Sequence, residues 1–462
     1  MLLTLFFLVA LPDPFTAGTD AGVPAVLAAT GVGIDEALLA PPGPALALGS
    51  WDDALARLRA RSVDLQLALA QLELAGAESR LALSPLLPGV TGSLSVQERL
   101  AGGGSVSVEG GGGNIPVGEG GEDEPRPTSP LVALRATASQ SLVDVPAWLQ
   151  LSAARARERA ARASTQDAWR LLVRELARSL VAVVTAERVV ELDRMGLAQA
   201  RERHQLTLEA EALGTGRKLD ALRTARDLEV ARAALLESVE SLRRTREALG
   251  SALGVEGEAG VVPGFQLDGL GRSVAEVCRP LEGAARADLV AAREELRAAG
   301  REVDAARAEY APTLGLQSSL TATSVTPGTA RVNQWNIAAV LGFSLWDGGA
   351  RGAAVRTERA NRAIADQQLE SVRRALSVEV AQARRGVALA EAQQLTARRA
   401  REAAALTDQL TGEAFREGVG TSLELVQSAE ELREAERTLA LRELELVQAR
   451  VDSLMAEAEC AW

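Results

Sequence analysis

The sequence predicts an α+β fold in which short two-faced strands run directly into very long helices, and three observations predict it. The first is a change of pattern within four residues, Trp346 to Gly349. Before it, Trp335, Ile337, Ala339, Leu341, Phe343 and Leu345 alternate with Gln334, Asn336, Gly342 and Ser344, the pattern of a half-buried strand. After it, Asp347 is a good helix N-cap, and roughly seventy proline-free residues rich in Ala, Arg, Glu and Gln favour helix. The second observation is that the joint recurs. Residues 141–144 (SLVD) stand to their strand as residues 344–347 (SLWD) stand to theirs, which marks an internal repeat. The third is composition: in 462 residues aromatics are only 3% while apolar residues are 47%, so the core is built from small and aliphatic side chains, as in long helices and coiled coils.

The elements follow in chain order. Residues 1–21 hold an apolar run, Leu2 to Leu11, and form a candidate signal peptide, although a basic start and a clean small-x-small site are lacking. Residues 22–48, rich in Gly, Pro and Ala, read as an extended lead-in. A first repeat spans 49–253. Its helix begins near Ser50 and is ended by Pro85 and Pro88. A strand follows in which Val90, Gly92, Leu94 and Val96 alternate with polar residues, and then comes a glycine-rich, acidic loop over 101–130 that cannot bury a core. The second strand, 131–143, feeds a helix from Pro146 to Leu213, where proline in the first turn does no harm. Another helix runs from Lys218 to Leu253.

Residues 254–282 lose the helical periodicity and read as a connector. The second repeat, 283–458, gives a helix to Tyr310, strands over 313–324 and 333–346, a helix over 350–416 and a last helix over 421–458, before a short tail, 459–462. Gly214 and Gly216 break the first helical pair as Gly418 and Gly420 break the second. The long helices would each reach roughly 100 Å. Heptad spacing at Leu425, Leu432, Leu439 and Leu446 predicts that the shorter helices line them in coiled-coil fashion.

Four strands cannot close a barrel, so several copies must contribute if the strands cross a membrane. No stretch beyond the N-terminal segment approaches twenty uninterrupted apolar residues, so any crossing falls to the strands, which at 11 to 13 residues are long enough. Their apolar phase, Val132, Leu134, Trp335, Ile337, Leu341 and Phe343, would face lipid. The opposite phase, Arg135, Thr137, Ser139, Ser141, Asn336 and Ser344, would face a water-filled lumen. Trp335 at one end of its strand and Trp346 at the other suit interfacial belts, with core packing as the competing reading.

Composition excludes other classes. A formal charge of −12 gives no support to nucleic-acid binding. Cys278 and Cys460 have no metal or redox spacing, and nothing in the sequence suggests pairing. His204, the single histidine, lies mid-helix among charges and reads as solvated. No nucleophile elbow, phosphate loop or ligand cluster appears, so no catalytic residue, metal or cofactor is assigned.

The joint FSLWDGG (Phe343 to Gly349), the runs ADLVAA (Ala287 to Ala292) and YAPTL (Tyr310 to Leu314), and the doubled Gly-x-Gly-x-x-Leu-[Asp/Glu] turns resemble the TolC-like outer membrane efflux proteins over about residues 47–458. The resemblance implies an α+β membrane protein. In it, a homotrimeric channel-tunnel gives four strands per chain to a shared twelve-stranded barrel and long helices to a periplasmic tunnel, with the connector as an equatorial region. It implies a passive conduit, not an enzyme, in a tripartite efflux or type I secretion system. Its partners would be outer membrane lipid, a periplasmic adaptor and an inner-membrane transporter of RND or ABC type. Gly214, Gly216, Gly418 and Gly420 would form the adaptor-docking tip. Glu424 occupies an acidic gate position, Asp220 is its counterpart in the first half, and Gln427 stands where a second acid is common. The first joint departs from the family form, with Asp144-Val-Pro146 for Asp-Gly-Gly. The competing reading is a periplasmic adaptor, which would share a helical hairpin but would lack two strand pairs feeding such helices.

Overall fold

The computed structural model describes residues 43–98, 126–127, 130–265, 267, 269–281, 286–326 and 329–460. The candidate signal peptide, most of the lead-in and most of the glycine-rich loop lie outside the described residues. In chain order the elements are β1 (Leu46–Leu48), α1 (Trp51–Arg61), α2 (Val63–Leu83), β2 (Gly89–Gln97), β3 (Arg126–Pro127), β4 (Leu131–Val143), α3 (Val145–Ala212) and α4 (Lys218–Ala252). They continue with β5 (Ala259–Val261), α5 (Leu270–Val277), β6 (Cys278–Pro280), α6 (Ala287–Ala308), β7 (Thr313–Thr326), β8 (Thr329–Gly342), α7 (Ala350–Arg416), α8 (Ser422–Ala456) and β9 (Ala458–Cys460). The described residues fall into two compact units. A helical unit takes 43–53, 178–265 and 390–447, and a sheet unit takes 54–177, 267–389 and 448–460.

In the sheet unit, β2, β4, β7 and β8 pair antiparallel in that order, and the two-residue β3 lies beside the end of β7. The register puts like with like. Leu134 faces Leu94 on one side and Ala322 on the other, while Leu320 faces Trp335 and Leu314 faces Leu341. Because side chains alternate, these residues share one face, and Arg135 opposite Thr321 and Thr137 opposite Ser319 share the other. The apolar face is uncovered: Val90 is 74% exposed and Trp335 69%. Among the described residues, β2 pairs only with β4, and β8 only with β7, so both outer edges are open.

Each long helix is launched by an aspartate. Asp144 accepts a hydrogen bond from the Ala147 amide at 3.0 Å, the N-cap bond that Ser, Thr, Asp and Asn supply best. Asp347 accepts from the amides of Gly349 and Arg351, both at 3.0 Å, and pairs with the Arg351 guanidinium. That guanidinium and the two amides hold the Asp347 carboxyl well below the usual aspartate range. Gly348 and Gly349 take positive φ, 66° and 90°, which lets the chain turn between Asp347 and the first residue of α7. Arg351 also stacks on Tyr310, 4.6 Å from the ring centre.

The helix predicted from Ser50 to Ala82 is two helices. Ser62 leaves the helical conformation and caps α2 by accepting from the Leu65 amide, a local bond that competes with helix continuation. Strand β8 ends at Gly342, so Phe343 and Ser344 lie beyond it rather than within it.

In the helical unit, Ala186, Val190, Leu197 and Ala200 of α3 pack on Ala231, Leu235 and Leu242 of α4, spacings of three, four and seven that make a coiled-coil seam. The last residues of the lead-in are extended and paired: β1 runs parallel to β5, which places Leu48 fully in the core. In the sheet unit, β6 and β9 pair with Cys278 opposite Cys460, and the two cysteines are disulfide-bonded. The sequence leaves this pairing open, and the structure makes it. Spacing carries no signal for a bond that closes over 182 residues. Two buried arginines hold the end of α8 nearby, Arg170 donating to the Met455 carbonyl at 3.0 Å and Arg286 to that of Ala456 at 3.1 Å.

Removing either cap will destabilise the fold. Asp144→Ala will cost about 1 kcal/mol in thermal unfolding, and Asp144→Asn far less. Asp347→Ala will lower the unfolding midpoint at neutral pH, and because the folded carboxyl titrates below the unfolded one, the difference from wild type will vanish only in strong acid.

Candidate functional site

Two places gather the residues singled out in the sequence: the faces of the sheet, and the turns joining α3 to α4 and α7 to α8. On the sheet, Val132, Leu134, Trp335, Ile337 and Leu341 share the apolar face, and Arg135, Thr137, Ser139, Ser141 and Asn336 share the polar one. The bulge between Ser141 and Val143 ends the strict alternation of β4. Trp335 donates its indole N–H to Ser318 at 3.0 Å while its ring stays exposed, and Trp346 is 86% exposed, so neither is a core residue in this chain.

The two turns, both in the helical unit, are built alike. The amides of Thr215 and Gly216 donate to the Ala210 carbonyl at 3.0 and 2.8 Å, and those of Val419 and Gly420 donate to the Ala414 carbonyl at 3.0 Å each. Gly214 and Gly418 hold φ of 73° and 78°, a left-handed helix stop. Gly216 and Gly420 are needed for space. A Cβ would fall 2.9 Å from the Ala210 carbonyl carbon in one turn and 2.9 Å from the Phe415 amide nitrogen in the other.

The helix starts differ. On α8, Thr421 and Glu424 form a capping box: the Glu424 amide donates to Thr421 Oγ1 at 3.3 Å, and the Glu424 carboxylate accepts from the Thr421 amide at 2.8 Å and its hydroxyl at 2.9 Å. The Thr421 amide and hydroxyl hold the Glu424 carboxyl below its usual range. On α4 the cap position is Arg217, which makes no side-chain cap bond. Asp220 turns instead to the other half, accepting from the buried Ser422 hydroxyl, while Arg223 Nη1 sits 3.3 Å from that hydroxyl and 3.9 Å from Asp220. Gln427 is exposed on the same stretch of α8 as Glu424.

Deeper in the unit, Asp227 of α4 is almost fully buried between Arg203 of α3, at 3.1 Å, and Arg433 of α8, at 2.7 Å. Gly196 admits this crossing, since a Cβ there would lie 2.9 Å from Arg433 Cδ. Asp193 is buried beside Arg437 at 3.5 Å, and burial pushes its carboxyl up. Ser422, Arg223, Asp227 and Asp193 escaped the sequence reading. The one legible hint was Arg217 in place of a capping Thr, which leaves Asp220 to find a partner elsewhere. His204 is half-buried rather than solvated, its Nδ1 3.1 Å from Thr224 Oγ1, which in turn bonds Thr207 at 2.6 Å. Among the described residues, no helix is long and apolar enough to cross a membrane, and no group of His, Cys, Asp and Glu could hold a metal ion.

The family described as outer membrane efflux protein matches the chain over residues 54–255 and 282–454, most of its length. No curated protein matches it in sequence. Among solved structures it is similar to a membrane protein from Pseudomonas aeruginosa, at 18% identity and TM-score 0.72, over 90% of this chain and 97% of the other. It is also similar to the outer membrane protein VceC of Vibrio cholerae (17%, TM-score 0.71, 88% and 95%) and to the open state of the MtrE outer membrane channel of Neisseria gonorrhoeae (20%, TM-score 0.70, 87% of each).

The glycine turns give a graded test by thermal unfolding. Gly418→Ala will cost about 1 to 2 kcal/mol from backbone strain. Gly420→Ala will cost more, because backbone must move. Gly76→Ala, in α2 with open space around it, will gain up to about 1 kcal/mol.

Proposed function

This chain belongs to the outer membrane efflux protein family, and from that premise we propose that it assembles as a homotrimer whose strands form one barrel in the outer membrane and whose helices form a conduit through the periplasm. The carrying observation is the sheet: one apolar face left exposed, one polar face, and two open edges. An open edge invites pairing with another chain, and three copies of four long strands make a closed barrel of twelve. Strands of 9 to 14 residues are long enough to cross a bilayer when tilted. The apolar face then meets lipid, and Arg135, Thr137, Ser139, Ser141 and Asn336 line water, with Ser344 and Phe343 just past the strand end. Helix α2 supports the same assembly: Leu67, Leu74 and Leu81 recur every seven residues and are exposed, a seam that a second copy would cover.

Cargo would reach the conduit from an inner-membrane transporter of RND or ABC type through a periplasmic adaptor seated on the tip turns at Gly214, Gly216, Gly418 and Gly420. Threefold symmetry would turn Glu424 into a ring of carboxylates. The Thr421 hydrogen bonds favour the ionised form of that carboxylate, and such rings favour cations. Gln427 adds a neutral ring beside it. The Asp220–Ser422–Arg223 contact would keep the tip helices together in the resting state. A periplasmic adaptor would have no use for the exposed apolar sheet face, so that alternative is disfavoured.

Electrophoresis of the outer membrane fraction will show a trimer unheated and a monomer after boiling; a soluble monomer in the periplasm would end the proposal. Ile337→Arg, on the apolar face, will abolish the trimer, since arginine at the bilayer midplane costs about 2 to 4 kcal/mol. Thr137→Arg, on the polar face, will assemble and shift ion selectivity toward anions. In planar bilayers, Ser422→Ala and Asp220→Ala will raise conductance severalfold, and Glu424→Ala will reduce cation preference; unchanged currents in all three would remove the tip from the gate.

A further inference from the structure

Within the helical unit, α3, α4, α7 and α8 line a cavity of about 700 Å3, within the range of small-molecule sites. Its walls are small and apolar, Ala231 and Ala234 from α4 and Ala397 and Ala400 from α7. At its rim α8 places three exposed carboxylates, Glu430, Glu431 and Glu434. Acidic side chains on a helix are ordinarily a solvated face, and alone they would mean nothing.

The wall holds a second feature. Asp193 lines the cavity with a side chain only 6% exposed; Arg437, 3.5 Å from its Oδ1, and the Ser238 hydroxyl hold the carboxylate, yet its Oδ2 makes no hydrogen bond. A buried carboxylate oxygen without a partner costs free energy that a ligand donor would recover. Arg433, which lines the same cavity near enough to Asp193 to favour its charged form, spends one nitrogen on Asp227, at 2.7 Å, and keeps Nη1 buried and unpartnered. The site therefore offers an acceptor and a donor set among alanines, with carboxylates outnumbering the two arginines.

We infer that this cavity binds an organic ammonium ion that also carries an acceptor oxygen, the cation on Asp193 within the acidic rim, the acceptor on Arg433, and the apolar body against the alanines. A bare metal ion does not fit, because among the described residues the carboxylates do not converge as ligands would. An anion would meet the rim acids. Burial, which pushes the Asp193 carboxyl up in the empty site, would be offset by a bound cation. The inference stands apart from the conduit reading, since binding needs no flux.

The test is calorimetric titration of the full-length protein in a non-ionic detergent at neutral pH with protonated 2-(dimethylamino)ethyl benzoate, whose ammonium keeps an N–H donor, and with 3-methylbutyl benzoate as its uncharged carbon isostere. Saturable binding of the ammonium ester at one site per chain is expected, weakened at least tenfold by Asp193→Asn and by Ala400→Leu, with little binding of the isostere. Thermal melts will report whether each variant folds, and if Asp193→Asn does not, Ala400→Leu decides alone. No saturable binding, equal affinity for the isostere, or affinity unchanged in the folded variants would overturn the inference.

Discussion

A sheet that is apolar on one face and open at both edges is the constraint on which the rest of this structure depends. In water such a sheet would aggregate through its edges, and the exposed Val90, Trp335 and Ile337 would add a sticky face. Among the described residues no layer packs on the apolar face of the strands. The chain launches a helix of 67 or 68 residues from the end of each strand pair, Asp144 and Asp347 fixing where helix begins. The strands thus need other copies beside them and an apolar medium around them, and the proposed outer-membrane trimer would supply both.

The two halves solve one geometric problem with different chemistry. Their tip turns share hydrogen-bond pattern and glycine conformation, yet the following helices are capped differently. Thr421 and Glu424 satisfy each other locally, whereas Arg217 cannot cap, and Asp220 is left to reach Ser422 on the other half. A single change of residue type at a cap position therefore converts a local contact into a cross-link between repeats. Repetition with divergence of this kind lets one fold element serve structure in one copy and coupling in the other.

Much of this was legible in the sequence because the signals were local and periodic. Helix α7 follows from a long proline-free run behind an aspartate cap, and the phase of alternation put Leu134 and Trp335 on one face. The same signal overran the end of β8, since Phe343 and Leu345 continue the alternation after pairing stops at Gly342. Alternation reports which way side chains point, and only a partner strand decides where the ladder ends. What stayed hidden was long-range. The Cys278–Cys460 bond, the pairing of β1 with β5, and Asp227 between Arg203 and Arg433 join residues whose proximity no spacing encodes.

The polar contacts of the helical unit are graded in strength along α4, and the gradient bears on how a tip could open. Arg223 and Asp220 are partly exposed and 3.9 Å apart, the kind of pair worth about 0 to 1 kcal/mol, and Ser422 adds one hydrogen bond. Two turns further on, Asp227 is 4% exposed and held by two arginines, and removing a partner from such a buried charge costs about 3 to 5 kcal/mol. A docking partner able to contribute a few kcal/mol could part the first contact but not the second. In the proposed conduit, bending would therefore be confined to the helix turns between Asp220 and Asp227, with the Asp227 cluster as the fixed end. The buried pair need add little net stability to serve this purpose, because in the proposed conduit it would only set where the tip stops moving.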